Sequence, residues 1–67
     1  MKKFTICSII KNEALGLDEW IRHHLDLGFN HIYLFEDFDS ISHAHITLNY
    51  KENVTLKRLC DIEEFKD

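Results

Sequence analysis

Two polar clusters interrupt the apolar stretches of the 67-residue chain, Lys11-Asn12-Glu13 and Glu36-Asp37-Phe38-Asp39. Each follows a run rich in β-branched and aromatic residues. Ligands of open parallel sheets bind beyond the carboxyl ends of the strands, which is where both clusters fall. If the two strands are neighbours, the clusters face one crevice. A carboxylate in the second cluster can accept hydrogen bonds from a nucleobase or a ribose hydroxyl. A plainer reading stands beside this one: both clusters are solvated loops that cap the following helices, and pattern alone favours it. The first cluster contains no glycine, so neither a dinucleotide fingerprint nor a Walker phosphate loop is present. Close backbone approach to a pyrophosphate is not expected there.

The five histidines offer little further chemistry. His23 and His24 are adjacent on a predicted helix, about 100° apart around its axis, and do not converge on one metal. His24 falls on the apolar stripe and reads as a hydrogen-bonded core residue. His43 and His45 are two apart on a second predicted helix, again on different faces. No Ser/His/Asp or Cys/His arrangement follows from the spacing, so no catalytic residue and no metal ligand is assigned. Trp20 reads as a core anchor. Cys7 and Cys60 form no C-x-x-C pair and are expected to be reduced, buried small hydrophobes.

The elements that would position these groups alternate. Phe4 to Ile10 is uncharged and β-branched, as suits a strand buried on both faces of a parallel sheet. Leu17, Trp20, Ile21, His24, Leu25 and Gly28 then recur at helical spacing, which predicts a helix over Leu15–Leu27 with Gly28 as the left-handed stop. His31 to Phe35 is a second strand. Ser40 suits the N-cap of a second helix in which Ile41, His45 and Leu48 share a face. Val54 to Leu59 alternates apolar and polar and reads as a more exposed third strand. Asp61 to Asp67 is an acidic helical start or a frayed tail. The order β-α-β-α-β predicts an α/β fold with a parallel sheet in three layers, helices on both faces. Two short helices are too few to cover both faces, so part of the domain is expected to lie outside these residues.

The bulk numbers exclude several classes. With 12 acidic and 8 basic residues the formal charge is −4, opposite to the basic footprint of a nucleic-acid-binding protein. No apolar run approaches the roughly 20 residues of a membrane span, and no signal peptide is evident. The chain is expected to be soluble and cytoplasmic. Hydrophobic residues make up 45% of it, too many for a disordered segment. A chain of this length buries only about 60% of its unfolded surface and is marginal alone.

The run Ile6-Cys7-Ser8-Ile9-Ile10-Lys11-Asn12-Glu13, followed by Glu19-Trp20-Ile21, His24, Leu27-Gly28 and His31-Ile32-Tyr33-Leu34-Phe35, resembles the opening of family-2-like and family-92-like glycosyltransferases of GT-A fold. The match covers residues 4–40. The resemblance implies the N-terminal part of a Rossmann-like GT-A domain, residues 1–67 being a partial nucleotide-sugar-binding domain of an enzyme of polysaccharide biosynthesis. It implies that Lys11, Asn12 and Glu13, with Glu36 and Asp37, hold the nucleotide of the donor. Glu36 replaces the family's more common Asp, and Asp37 stands where the group often has Asn. The family also carries a D-x-D motif after a later strand, holding Mg²⁺ or Mn²⁺ against the donor diphosphate. Asp37-Phe38-Asp39 has that spelling but follows the second strand, one unit too early, and is read as a coincidence. With that motif, a catalytic base and the acceptor half all absent, the chain is expected to bind no metal and to transfer no sugar by itself.

Two alternatives remain open at this level. One is a small non-catalytic module that forms homo-oligomers through its open sheet edge. The other is a truncated-gene fragment without an independent role.

Overall fold

The computed structural model describes residues 3–62. Strand β1 (Thr5–Ile10) leads to helix α1 (Ala14–Asp26) and strand β2 (His31–Glu36). A short helix α2 (Ala44–Thr47) and a 3₁₀ turn (Leu48–Tyr50) precede strand β3 (Val54–Arg58), and a second 3₁₀ turn (Leu59–Asp61) follows it. The strands form a parallel sheet in the order β1-β2-β3. The strands and α1 thus lie where the sequence pattern puts them, within a residue or so at each end.

Alternation along the strands decides what is buried. Ile6, Ser8 and Ile10 of β1 sit in register with Ile32, Leu34 and Glu36 of β2, and these with Val54, Leu56 and Arg58 of β3. Ile10, Ile32, Leu34 and Val54 from this face join Leu17 and Ile21 of α1 in the core. Ile46 and Tyr50 pack on the same cluster. Both helical segments therefore lie on one face, and the described residues form two layers rather than three. The opposite face, with Cys7, Ile9 and Tyr33, is exposed. β1 is accordingly buried on one face only, and Cys7 is a free, exposed thiol rather than a buried one, while Cys60 is half-buried. The expected coverage of both faces fails because right-handed crossovers that advance through the sheet in one direction place every helix on the same side.

Helix α1 follows its stripe closely. Leu17 and Ile21 are buried, and Trp20, His24 and Leu25 are half-buried beside them. His24 donates from Nδ1 to the Trp20 carbonyl at 2.8 Å and lies against the indole, with ring centroids 4.0 Å apart. The helix ends in a Schellman motif: the Phe29 N–H bonds the His24 carbonyl and the Gly28 N–H bonds the Leu25 carbonyl. Gly28 holds φ at 106°, which the absence of a Cβ makes inexpensive.

The second helix departs from expectation. It is four residues long and begins after His43, not after Ser40. Ile41 and Leu48, two members of its predicted apolar face, are 51% and 67% exposed, and His45 is exposed too. The buried residues here are Ser40, His43 and Thr47. The segment is positioned by polar contacts at the strand ends together with Ile46 and Tyr50 on the core, not by the predicted Ile41–His45–Leu48 face. Of the acidic stretch after Cys60, residues 63–67 lie outside the described range.

Candidate functional site

Glu36 ends β2 on the covered face, in the alternation Ile32, Leu34, Glu36, and is 1% exposed. A buried carboxylate must be supplied with donors. One oxygen, Oε2, accepts from the backbone N–H of His43 and from its ring Nδ1 at 2.7 Å. The other, Oε1, accepts from Arg58 Nη1 at 3.1 Å. Arg58 stands directly opposite Glu36 in the β2–β3 register, so the sheet itself sets this ion pair. The second guanidinium nitrogen donates to the Ser40 carbonyl at 2.8 Å.

His43 has no exposed surface, and its two ring nitrogens do different work. Nε2 receives the backbone N–H of Glu13 at 2.9 Å. An amide N–H only donates, so Nε2 is unprotonated and the ring proton sits on Nδ1, aimed at Glu36. His43 is neutral in this arrangement. It passes the hold of the buried carboxylate on to the loop after β1.

That loop is fixed at every residue. The Asn12 N–H donates to Ser40 Oγ at 3.0 Å, and Asn12 Oδ1 accepts the Ile41 N–H at 3.0 Å. Asn12 adopts φ of 50°, a left-handed conformation that Asn tolerates. Lys11 reaches Asp39 at 3.0 Å across the surface. The Asp39 hydrogen bond, then its charge, raises the Lys11 pKa, and Lys11 in turn lowers that of Asp39. Glu13 precedes α1, its carbonyl accepting the Gly16 and Leu17 N–H groups, and its side chain is exposed. Asp37 spans the other side: its N–H bonds the Ile10 carbonyl and its Oδ1 accepts the Phe38 N–H.

The structure therefore brings the two predicted clusters together at the carboxyl ends of adjacent parallel strands. It separates their roles, however. Glu36 does not point into the crevice to meet a base or ribose, because both of its oxygens are engaged inside the protein. The amides of Asn12 and Glu13 are also consumed, so this loop is not an anion nest. Of the remaining groups, Lys11 (paired with Asp39), Asn12 and Glu13 are exposed and Asp37 is half-buried. They can offer donors and acceptors to a neutral polar ring or a sugar hydroxyl.

Asp39 is paired with the Lys11 ammonium, Asp37 caps its own turn, and among the described residues no three His, Cys, Asp or Glu side chains converge as ligands. No described helix is long and apolar enough to cross a membrane.

His43, Ser40 and Arg58 are the residues that sequence reasoning missed. A signal was present for one of them. Glu36 and Arg58 continue the buried alternation of their strands, and a charge at such a position requires a buried partner. His43 and Ser40 lack such a signal, since their role arises from the path of an irregular loop. Comparison with known proteins finds no match among family models, curated proteins or solved structures.

Proposed function

We propose that the chain is the base-and-ribose side of a nucleotide-sugar site, the N-terminal nucleotide-binding segment of a glycosyltransferase of GT-A type. The observation that carries this reading is the juxtaposition of the β1 and β2 end loops, held by a buried Glu36–His43–Arg58 cluster, with Lys11, Asn12 and Glu13 exposed and Asp37 half-buried beside it. Such a pre-formed polar rim beyond parallel strand ends is where this fold class binds ligands. The sequence resemblance over residues 4–40 gives the ligand its class. Glu36 acts here by fixing the loops and not by touching the nucleotide, while the direct contacts fall to Lys11, Asn12, Glu13 and Asp37.

The transfer step itself, to a glycan or lipid-linked acceptor, would need groups beyond these. Among the described residues no side chain is assigned as a catalytic base, and no cluster of three ligands is present for the Mg²⁺ or Mn²⁺ that would neutralise a departing diphosphate. On this reading the chain contributes a binding element to the enzyme.

The test is titration of the ¹⁵N-labelled chain with uridine and guanosine diphosphate. A site of this size and exposure should bind in the millimolar range, about −4 kcal/mol, with shifts confined to the Lys11–Glu13 and Asp37–Asp39 loops. Glu13→Gln should weaken them without changing the fold. Absence of shifts in those loops at saturating nucleotide overturns the proposal, as would shifts centred elsewhere.

A further inference from the structure

Three hydrogen bonds close the loop after β1 onto the segment that follows β2. The Asn12 N–H donates to Ser40 Oγ, the Ile41 N–H donates to Asn12 Oδ1, and the Glu13 N–H donates to His43 Nε2 at 2.9 Å. Serine, asparagine and peptide groups keep the same donors and acceptors at every ordinary pH, and an imidazole does not. Nε2 accepts only while it carries no proton. A proton there sets two N–H groups against each other and turns the third bond into a repulsion. We propose that His43 is an acid-released latch on the loop after β1, closed while its ring is neutral and opened by protonation at Nε2. The closed loop has no place for a proton that the open loop accepts, so acid favours opening.

The surroundings decide which partner gives way. His43 is fully buried and tied twice to Glu36 Oε2, by its backbone N–H and by Nδ1. A charged ring strengthens the second tie. Glu13 is exposed, and Asn12 beside it holds a φ of 50°, a left-handed conformation that persists only where its surroundings impose it. The loop therefore moves and the ring stays. Charge acts in the same direction. Glu36 and Arg58 balance each other in the cluster, so a protonated His43 adds an uncompensated positive charge to a buried site, and opening the loop admits water to it. Among the described residues no other charged group pairs with His43. Lys11 and Asp39 pair with each other, Asp37 caps its own turn, and Asp18 of α1 is engaged by Tyr50 and Arg22. Lys57 and Asp61, at the end of β3, border a cleft with Glu36 and Arg58, and His45 of α2 is exposed.

The test uses the 67-residue chain, labelled with ¹⁵N and free of nucleotide, so its outcome is independent of the nucleotide reading. At about pH 8 the His43 ring should carry its proton on Nδ1, read from the signals of its two ring nitrogens. As the pH falls from about 8 to about 5, the Glu13 and Asn12 amides should move with the same midpoint as the His43 ring. The protection factor of the Glu13 amide against hydrogen exchange should fall at least about tenfold, while the amides of Ile32 and Leu34 in β2 stay in place. His43→Gln is uncharged at every pH and should abolish the coupled movement. His45→Gln, at an exposed ring, should leave it intact. A ring proton on Nε2 at the alkaline end overturns the proposal. So does a His43 that charges while the Glu13 amide stays put, one that stays neutral until the sheet itself melts, or a loop response that survives in a folded His43→Gln chain. If His43→Gln fails to fold, the shared midpoint in the parent and in His45→Gln decides alone.

Discussion

A carboxylate that is 1% exposed must draw its donors from the protein, and Glu36 draws them from an adjacent strand and a following loop. Removing one partner leaves a buried charge short of compensation, which costs more than the lost bond. Arg58→Met should destabilise the chain by about 3 kcal/mol, the low end for a broken buried pair because Arg58 keeps some contact with water. Chemical denaturation checks this, and the loop amides of Asn12 and Glu13 should lose hydrogen-exchange protection in the same variant. The Lys11–Asp39 pair nearby behaves differently, being fully at the surface. Its hydrogen bond from Lys11 lowers the Asp39 pKa, so the stability it adds is present above the ordinary carboxylate range and is lost as pH falls through the lowered value. Asp39→Asn should flatten that acid-side loss in a series of melting temperatures against pH, and added salt should do the same to the parent chain. A melting curve whose pH dependence is unaltered by Asp39→Asn would show that the pair contributes nothing.

At the scale of elements, legibility tracks whether one periodicity governs the segment. β1, β2, β3 and α1 were readable because apolar spacing alone chooses their buried side, as Leu17 and Ile21 show on α1. The segment from Ser40 to Tyr50 was not, since its fully buried residues are polar, its apolar Ile41 and Leu48 face water, and the apolar contacts it does make come from Ile46 and Tyr50, off the face that Ile41 and Leu48 suggest. There the demand of Glu36 for donors fixes the start of the segment at His43, and a demand from another strand cannot be read from the local apolar residues. The two glycines at α1 give a clean test of what the helix itself requires. Gly16 lies inside the helix, and a Cβ added there would meet nothing within 4 Å, whereas Gly28 has φ of 106°. Gly16→Ala should stabilise the chain by about 0.5–1 kcal/mol through helix propensity and reduced unfolded-state freedom. Gly28→Ala should destabilise it by about 1 kcal/mol or more, since alanine meets a conformational penalty at positive φ. Equal effects of the two substitutions in urea titrations would contradict the Schellman assignment.

At the scale of the molecule, the consequential feature is that the described residues cover one face of the sheet and leave the other open. Neighbouring residues on β1 should therefore respond in opposite ways. Ile10 is 7% exposed and touches the α1 core, whereas Ile9 is 66% exposed on the open face. Ile10→Thr replaces buried methylene with a hydroxyl that has no assured partner, and should cost about 2–3 kcal/mol. For a chain this short that is a large fraction of total stability, and it should abolish a cooperative melt. Ile9→Thr keeps a β-branched residue in a strand and removes little buried surface, so stability should stay within about 0.5 kcal/mol. The sequence run alone assigns both isoleucines to an interior strand, because a β-branched stretch without charge looks the same whether one face or two are covered. What separates them is the side of the sheet on which the crossovers run, which is a property of topology and not of any local window. If Ile9→Thr proved as costly as Ile10→Thr, the open face would have to be covered, and the two-layer arrangement would be wrong.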